Sequence, residues 1–153
     1  MKKLFYLTNE GVAELEGEHK TLVGQRGDVA ERIKTAREFG DLAENAEYQT
    51  ARHDQEKLEN RIAEIEHILQ NVEVIKAPKG GNGGKVQLGS FVTLKNGSTK
   101  KFQVVGTVEA DPLEGKISDE SPLGKAVLGK KVGDEVEIVT PAETTTYRIV
   151  EIA

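Results

Sequence analysis

The sequence predicts an α+β protein with an antiparallel helical hairpin over residues 1–77, a short linker at 78–84 and a compact strand-rich domain over 85–153. Three observations lead there. The first half carries two long apolar stripes at alternating three- and four-residue spacing, the period of a helix face. A glycine-rich stretch from Pro78 to Gly84 interrupts that period. Short β-prone segments separated by turn signals follow it. Charge divides at the same place, with a balance of −5 over residues 1–77 and of zero over residues 78–153.

Composition narrows the possible functions. With 37% hydrophobic residues, 5% aromatics and no Trp, one large core is not expected in 153 residues. A net charge of −5 disfavours a protein that wraps nucleic acid by itself, since that affinity comes from Lys and Arg neutralising phosphates. The absence of Cys removes disulfides, thiolate metal sites and thiol chemistry. The start MKKLFYLTNEG lacks the apolar run of a signal peptide, and no segment approaches the roughly 20 apolar residues of a membrane span. A cytoplasmic protein without membrane contact is expected.

The first arm is expected to start at Thr8, whose hydroxyl can accept a first-turn amide, with Glu10 near the positive helix end. Val12, Leu15, His19, Leu22, Arg26, Val29, Ile33 and Ala36 form its seam. His19 and Arg26 interrupt the apolar series and are read as packing residues with polar ends in solvent. Gly24 and Gly27 weaken this arm without ending it, because the seam resumes in phase at Val29. The second arm carries Tyr48, Ala51, Gln55, Leu58, Ile62, Ile65, Leu69 and Val72. Two such stripes joined by a short break fold back as an αα-hairpin, each arm about 45 Å long for around 30 residues. Pairs four residues apart, such as Glu14/Glu18, give no ion-pair support, so packing between the arms must hold the hairpin.

The stretch REFGDLAENAEY, residues 37–48, is the expected tip. Gly40 can adopt a backbone conformation that a β-carbon resists. Asp41 is a plausible N-cap of the returning helix, with Glu44 three positions on as in a capping box. The same carboxylates, with Glu47, would place negative charge at the far end of the hairpin, where they could bind Mg²⁺ weakly or position water beside a metal held elsewhere. Two carboxylates do not complete an octahedral cage, so this pattern points to assistance with metal chemistry. Arg37 and Arg52 flank the acidic group and could either counter it or hold RNA phosphate, with Arg32 and Lys34 extending the patch modestly. Phe39 and Tyr48 could pack the turn or stack on a base.

In the second half, PKGGNGGK lacks the form of a phosphate-binding P-loop, since Val86 follows Lys85 and the spacing fails. Ser90–Leu94 and Phe102–Val108 are strand candidates joined through Asn96-Gly97, and Glu135–Thr140 and Thr144–Glu151 form a second pair near Pro141. Between the pairs, residues 121–134 predict a short helix and a glycine-rich loop, with Leu123, Val127 and Leu128 covering a sheet face. No nucleophile–base arrangement emerges.

Four segments together resemble the GreA group of bacterial transcript cleavage factors: LTNEG at 7–11, AREFGDLAENAEYQTAR at 36–52, VGTVEADPLEGKIS at 105–118 and SPLGKAVLGKKVGDEVEI at 121–138. The resemblance extends over essentially the whole chain. It implies a coiled-coil hairpin followed by a small FKBP-like antiparallel β domain that binds without isomerase activity. It further implies an accessory factor, no enzyme by itself and a monomer, that enters the secondary channel of bacterial RNA polymerase and stimulates cleavage of the nascent RNA near its 3′ end. Asp41 and Glu44 match the family's acidic pair beside the polymerase Mg²⁺, with no cofactor held tightly in isolation. Gly40, Asn45, Glu47 and Tyr48 match the tip, Arg37 and Arg52 match positions of RNA contact, and Ser121, Pro122, Leu123 and Gly124 fall in the polymerase-docking segment. Ala43 stands where relatives often carry a polar residue. The competing classes are an inhibitory channel-binding protein, a folding helper and a plain coiled-coil interaction protein.

Overall fold

A computed structural model describes residues 3–41, 44–76, 84–139 and 141–153. The linker expected at 78–84 thus lies outside the described residues except for Gly84, as does Ala43. Two compact units divide the chain: Val12–Asn71 in one, and Lys3–Gly11 with Val72–Ala153 in the other. The boundary expected at residue 77 therefore moves. Strand β1 (Phe5–Leu7) pairs in parallel with β2 (Val72–Val74), which joins both ends of the first half to the strand-rich unit. Two three-residue strands are too short to give a periodic signal.

The hairpin unit is built from α1 (Asn9–Gly24), α2 (Arg26–Arg37) and α3 (Ala46–Gln70). The first arm, expected as one helix, is interrupted at Gln25. Gln25 keeps right-handed helical dihedrals, φ −80° and ψ −12°, and its N–H donates to the carbonyls of both Thr21 and Leu22, a local tightening of the turn. Gly24 and Gly27 bracket the break, and a β-carbon on either would meet open space. Their effect is thus on backbone freedom and not on packing.

Ile33 and Ala36 on α2 are buried, as are Ala51, Leu58, Ile62, Ile65 and Ile68 on α3. The seam follows the sequence reading until its end, where Ile68 is buried in the place expected of Leu69. Charged side chains join the arms outside this seam. Arg26 reaches Glu59 at 2.8 Å, Arg32 reaches Asp54 at 3.1 Å, Arg61 reaches Glu18 at 2.8 Å, and His19 Nε2 lies 2.9 Å from Glu66. His19 and Arg26, both expected on the seam, are cross-arm partners at its edge, and Arg26 is exposed. Arg32, expected to extend a basic tip patch, is engaged with Asp54 instead.

The second unit holds a five-stranded sheet in the order β5-β4-β3-β7-β6, formed by β3 (Phe91–Asn96), β4 (Ser98–Val105), β5 (Lys116–Ser118), β6 (Glu135–Val139) and β7 (Thr144–Ile152). Both hairpins expected from sequence are present, the first turning at Gly97 with φ +75°. The sheet is antiparallel except at β5, which runs parallel to β4. Helix α4 (Pro122–Val127) packs Val127 into the core, with Leu123 and Leu128 against it. A bulge between Thr93 and Leu94 sets Val92 opposite Ile152 and Leu94 opposite Ile149, so two β7 residues three apart both face inward. Strict alternation would have excluded one of them.

Close backbone approach explains two glycines. A β-carbon on Gly106 would lie 2.5 Å from the Tyr6 carbonyl, and one on Gly124 would collide with the Ser118 carbonyl. The start of α1 is fixed within the same unit. Thr8 caps the helix as expected, its hydroxyl accepting from the Gly11 N–H at 3.1 Å. The Glu109 carboxylate, whose side chain is only 3% exposed, accepts from both the N–H and the hydroxyl of Thr8.

Candidate functional site at the hairpin tip

The chain leaves α2 through a turn in which the N–H of Glu38 donates to Thr35 O and that of Phe39 to Ala36 O, both at 3.2 Å. Gly40 follows with φ +109°, a positive value of the kind a β-carbon resists, as the sequence reading allowed. Asp41 and Glu44 are both exposed. Helix α3 then starts at Ala46.

The cap of α3 differs from the expectation. Asn45, and not Asp41, is the N-cap: its backbone is extended and its Oδ1 accepts from the Tyr48 N–H at 3.1 Å. Its Nδ2 simultaneously donates to Ala36 O at 2.7 Å, so one amide ties the end of the first arm to the start of the second. An amide supplies both an acceptor and a donor, which neither the Asp41 nor the Glu44 carboxylate could do. The N-cap of α3 is thus Asn45, and Asp41 and Glu44 precede it on the exposed turn. Glu47 sits in the first turn of α3, where negative charge is favoured by the helix dipole.

The basic and aromatic residues separate into two groups. The Arg37 guanidinium lies 5.9 Å from the centre of the half-buried Tyr48 ring, a cation–π arrangement that draws both toward the base of the turn. Arg52 lies one turn further along α3 and contacts Gln55 at 3.4 Å. Phe39, by contrast, is 73% exposed. Among the described residues no group of three or more His, Asp or Glu is arranged to hold a metal ion. Asp41 and Glu44 can thus contribute at most part of a coordination shell.

In the second unit, Ser121 caps α4, its hydroxyl accepting from the Gly124 N–H at 3.1 Å and donating to Ser118 O at 2.7 Å. Pro122 at the first helical position is exposed, Leu123 is half-buried and Gly124 is buried. No helix among the described residues is long and apolar enough to cross a membrane.

Comparison with known proteins bears on this arrangement over the whole chain. Residues 5–74 match the family described as transcription elongation factor, N-terminal, and residues 81–153 match transcription elongation factor, GreA/GreB, C-term. The chain is 45% identical to transcription elongation factor GreA of Listeria welshimeri, over 99% of this chain and 96% of the relative. It belongs to the GreA/GreB family of transcription elongation factors. The GreA of Bacillus velezensis is 43% identical over 99% of this chain and 98% of its own. Among solved structures, that of the transcription factor Gfh1 is 29% identical, covers 99% of both chains and superposes with a TM-score of 0.49. A GreA/GreB member is an elongation factor that acts as an accessory to transcription and is not an enzyme by itself.

Proposed function

We propose that this chain rescues backtracked bacterial RNA polymerase by stimulating the polymerase's own endonucleolytic cleavage of nascent RNA, which leaves a new, correctly placed 3′ hydroxyl. The observation that carries the reading is the exposure of Asp41 and Glu44 at the end of a hairpin whose turn is braced by Asn45, in a chain of the GreA/GreB family. Both carboxylates lie on the exposed surface of the turn, where a partner's metal ion can reach them.

In this reading the hairpin enters the polymerase secondary channel and sets Asp41 and Glu44 beside the catalytic centre. Mg²⁺ bound there would supply Lewis-acid activation of water and stabilise charge on the scissile phosphate oxygens. The two carboxylates help to hold that ion and orient the attacking water through their remaining lone pairs. Arg52, and Arg37 from beside Tyr48, face the RNA near its 3′ end. Ser121, Pro122, Leu123 and Gly124 form the docking segment. The factor works as a monomer in the cytoplasm and holds no cofactor tightly when alone.

The test is cleavage of a labelled transcript in purified backtracked complexes, comparing wild type with Asp41→Asn/Glu44→Gln while polymerase binding is measured in parallel. Stimulation by wild type, lost in a variant that still docks, is expected. Tight docking without stimulation would reassign the chain to regulatory channel binding.

A further inference from the structure

We propose that Phe39 is a positioning residue that stacks on an unpaired base of the backtracked RNA, so that the carboxylates two and five positions later meet the scissile phosphodiester; this rests on the cleavage reading above. Phe39 is 73% exposed, an unusual placement for a large aromatic in a chain with only 5% aromatic residues. It is also displayed from a fixed backbone. The Phe39 N–H is bonded to Ala36 O, and Asn45 Nδ2 donates to that same carbonyl. A side chain carried on a backbone held in this way loses no backbone freedom when it meets a ligand.

Charge decides which part of an RNA it meets. Glu38, Asp41, Glu44 and Glu47 are all exposed on or beside the turn, and wherever no metal ion stands between them their carboxylates repel phosphate. Arg37 is turned toward Tyr48, and Arg52 lies on α3 beyond the turn. Apart from the one phosphate that the polymerase metal would neutralise, the part of an RNA that can be held near Asp41 without an electrostatic penalty is therefore the uncharged face of a base. Tyr48 is poorly suited, because its ring is half-buried and paired with Arg37. Phe39 offers an open π-face without hydrogen-bonding groups, which suits a contact that must accept any base at a stalled 3′ end.

The experiment compares Phe39→Ala, Phe39→Leu and Phe39→Trp with wild type in backtracked complexes whose extruded 3′ nucleotides are either natural or abasic, with polymerase binding followed in parallel. Stacking predicts that Phe39→Ala lowers the cleavage rate at saturating factor by about tenfold on natural RNA. Phe39→Trp should retain the wild-type rate and Phe39→Leu should not, while the abasic transcript should bring wild type down to the level of Phe39→Ala. Full activity of Phe39→Leu, or a loss of docking matching the loss of cleavage, would overturn the proposal in favour of packing against the polymerase wall. Cleavage by wild type with an unaffected Phe39→Ala would remove the stacking contact and leave the cleavage function standing. Absence of wild-type cleavage would remove both.

Discussion

Glu18 and Arg61 form a two-pronged ion pair across the hairpin, with Arg61 Nε 2.8 Å from Glu18 Oε1 and Arg61 Nη2 2.9 Å from Glu18 Oε2. The hydrogen bonds from Arg61 hold the Glu18 carboxyl below its ordinary 4.5, against the opposing effect of partial burial, and the charge of Arg61 adds to the lowering. Arg61 is shifted upward by the same contact, so both partners favour the charged pair. A carboxyl whose folded-state pKa is depressed contributes stability above its unfolded pKa and loses it as pH falls through the folded one. Thermal melting between neutral pH and about pH 3 should therefore be less pH-sensitive in Glu18→Gln than in wild type. Both side chains are more than a third exposed, so the difference at neutral pH should be at most about 1 kcal/mol after solvent screening and should shrink in salt. An identical pH slope in the two proteins would refute a contribution from this pair.

The Asn45 side chain combines two tasks that conservative replacements separate. Asn45→Asp keeps the acceptor facing the Tyr48 N–H and removes the donor to Ala36 O; Asn45→Ala removes both. Loss of the cap costs about 1 kcal/mol. Circular dichroism melts should rank wild type above Asp and Asp above Ala, with transcript cleavage declining in the same order as the turn loosens. An Ala variant that melts like wild type would mean that the turn is held by packing alone.

Gly27 lies inside α2, and a β-carbon there would meet nothing within 4 Å. Gly27→Ala should consequently stabilise the first arm by about 1 kcal/mol through reduced backbone entropy of the unfolded chain. The measurement is the denaturant midpoint at unchanged slope. If the break at Gln25 serves entry into a partner, the stabilised protein should also dock more weakly, which a parallel binding measurement would reveal.

Much of the hairpin is legible in the sequence because one repeating pattern encodes it. Ile33, Ala36, Ala51, Leu58, Ile62 and Ile65 are buried where the stripes place them. Near Ile68 and Leu69 the period of 3.6 allows either residue to face inward, and only tertiary packing selects Ile68. The pairs Arg26–Glu59 and Arg61–Glu18 depend on the register between arms, which spacing within one arm cannot supply. At the tip, Asp41 and Asn45 are both good cap residues by type; the start of α3 at Ala46 decides between them. In the second unit the turns at Gly97 and near Pro141 are local signals, whereas the pairing of β1 with β2 joins residues far apart in sequence.

Glu109 should be intolerant of even an isosteric change. Its carboxylate accepts two bonds from Thr8, the side chain is 3% exposed, and Lys116 Nζ stands 3.8 Å away. Glu109→Gln retains one acceptor oxygen and turns an amide donor toward a donor of Thr8. An unmatched buried polar group costs about 1–3 kcal/mol. Gly11→Ala should be destabilising for a related reason, since its β-carbon would collide with the Glu109 carboxylate. Equilibrium unfolding in urea provides the comparison, and a Gln variant as stable as wild type would show that the carboxylate is not needed to hold Thr8.

The segment proposed for docking separates an exposed residue from buried ones within four positions. Pro122 is exposed at the start of α4, so Pro122→Ala should weaken polymerase binding with little change in melting temperature. Gly124 faces the Ser118 carbonyl too closely for any side chain, and Gly124→Ala must displace backbone. Overpacking of that kind costs about 1–3 kcal/mol. Gly124→Ala should therefore lower stability and docking together, as should a polar residue in place of Leu123, which packs against the core. Ser121→Ala is the intermediate case, since it loses the cap to the Gly124 N–H and the bond to Ser118 O while leaving the exposed surface nearly unchanged. A Pro122→Ala protein with wild-type affinity, alongside a destabilised Gly124→Ala, would confine this segment to a folding role and place the docking contact elsewhere on the unit.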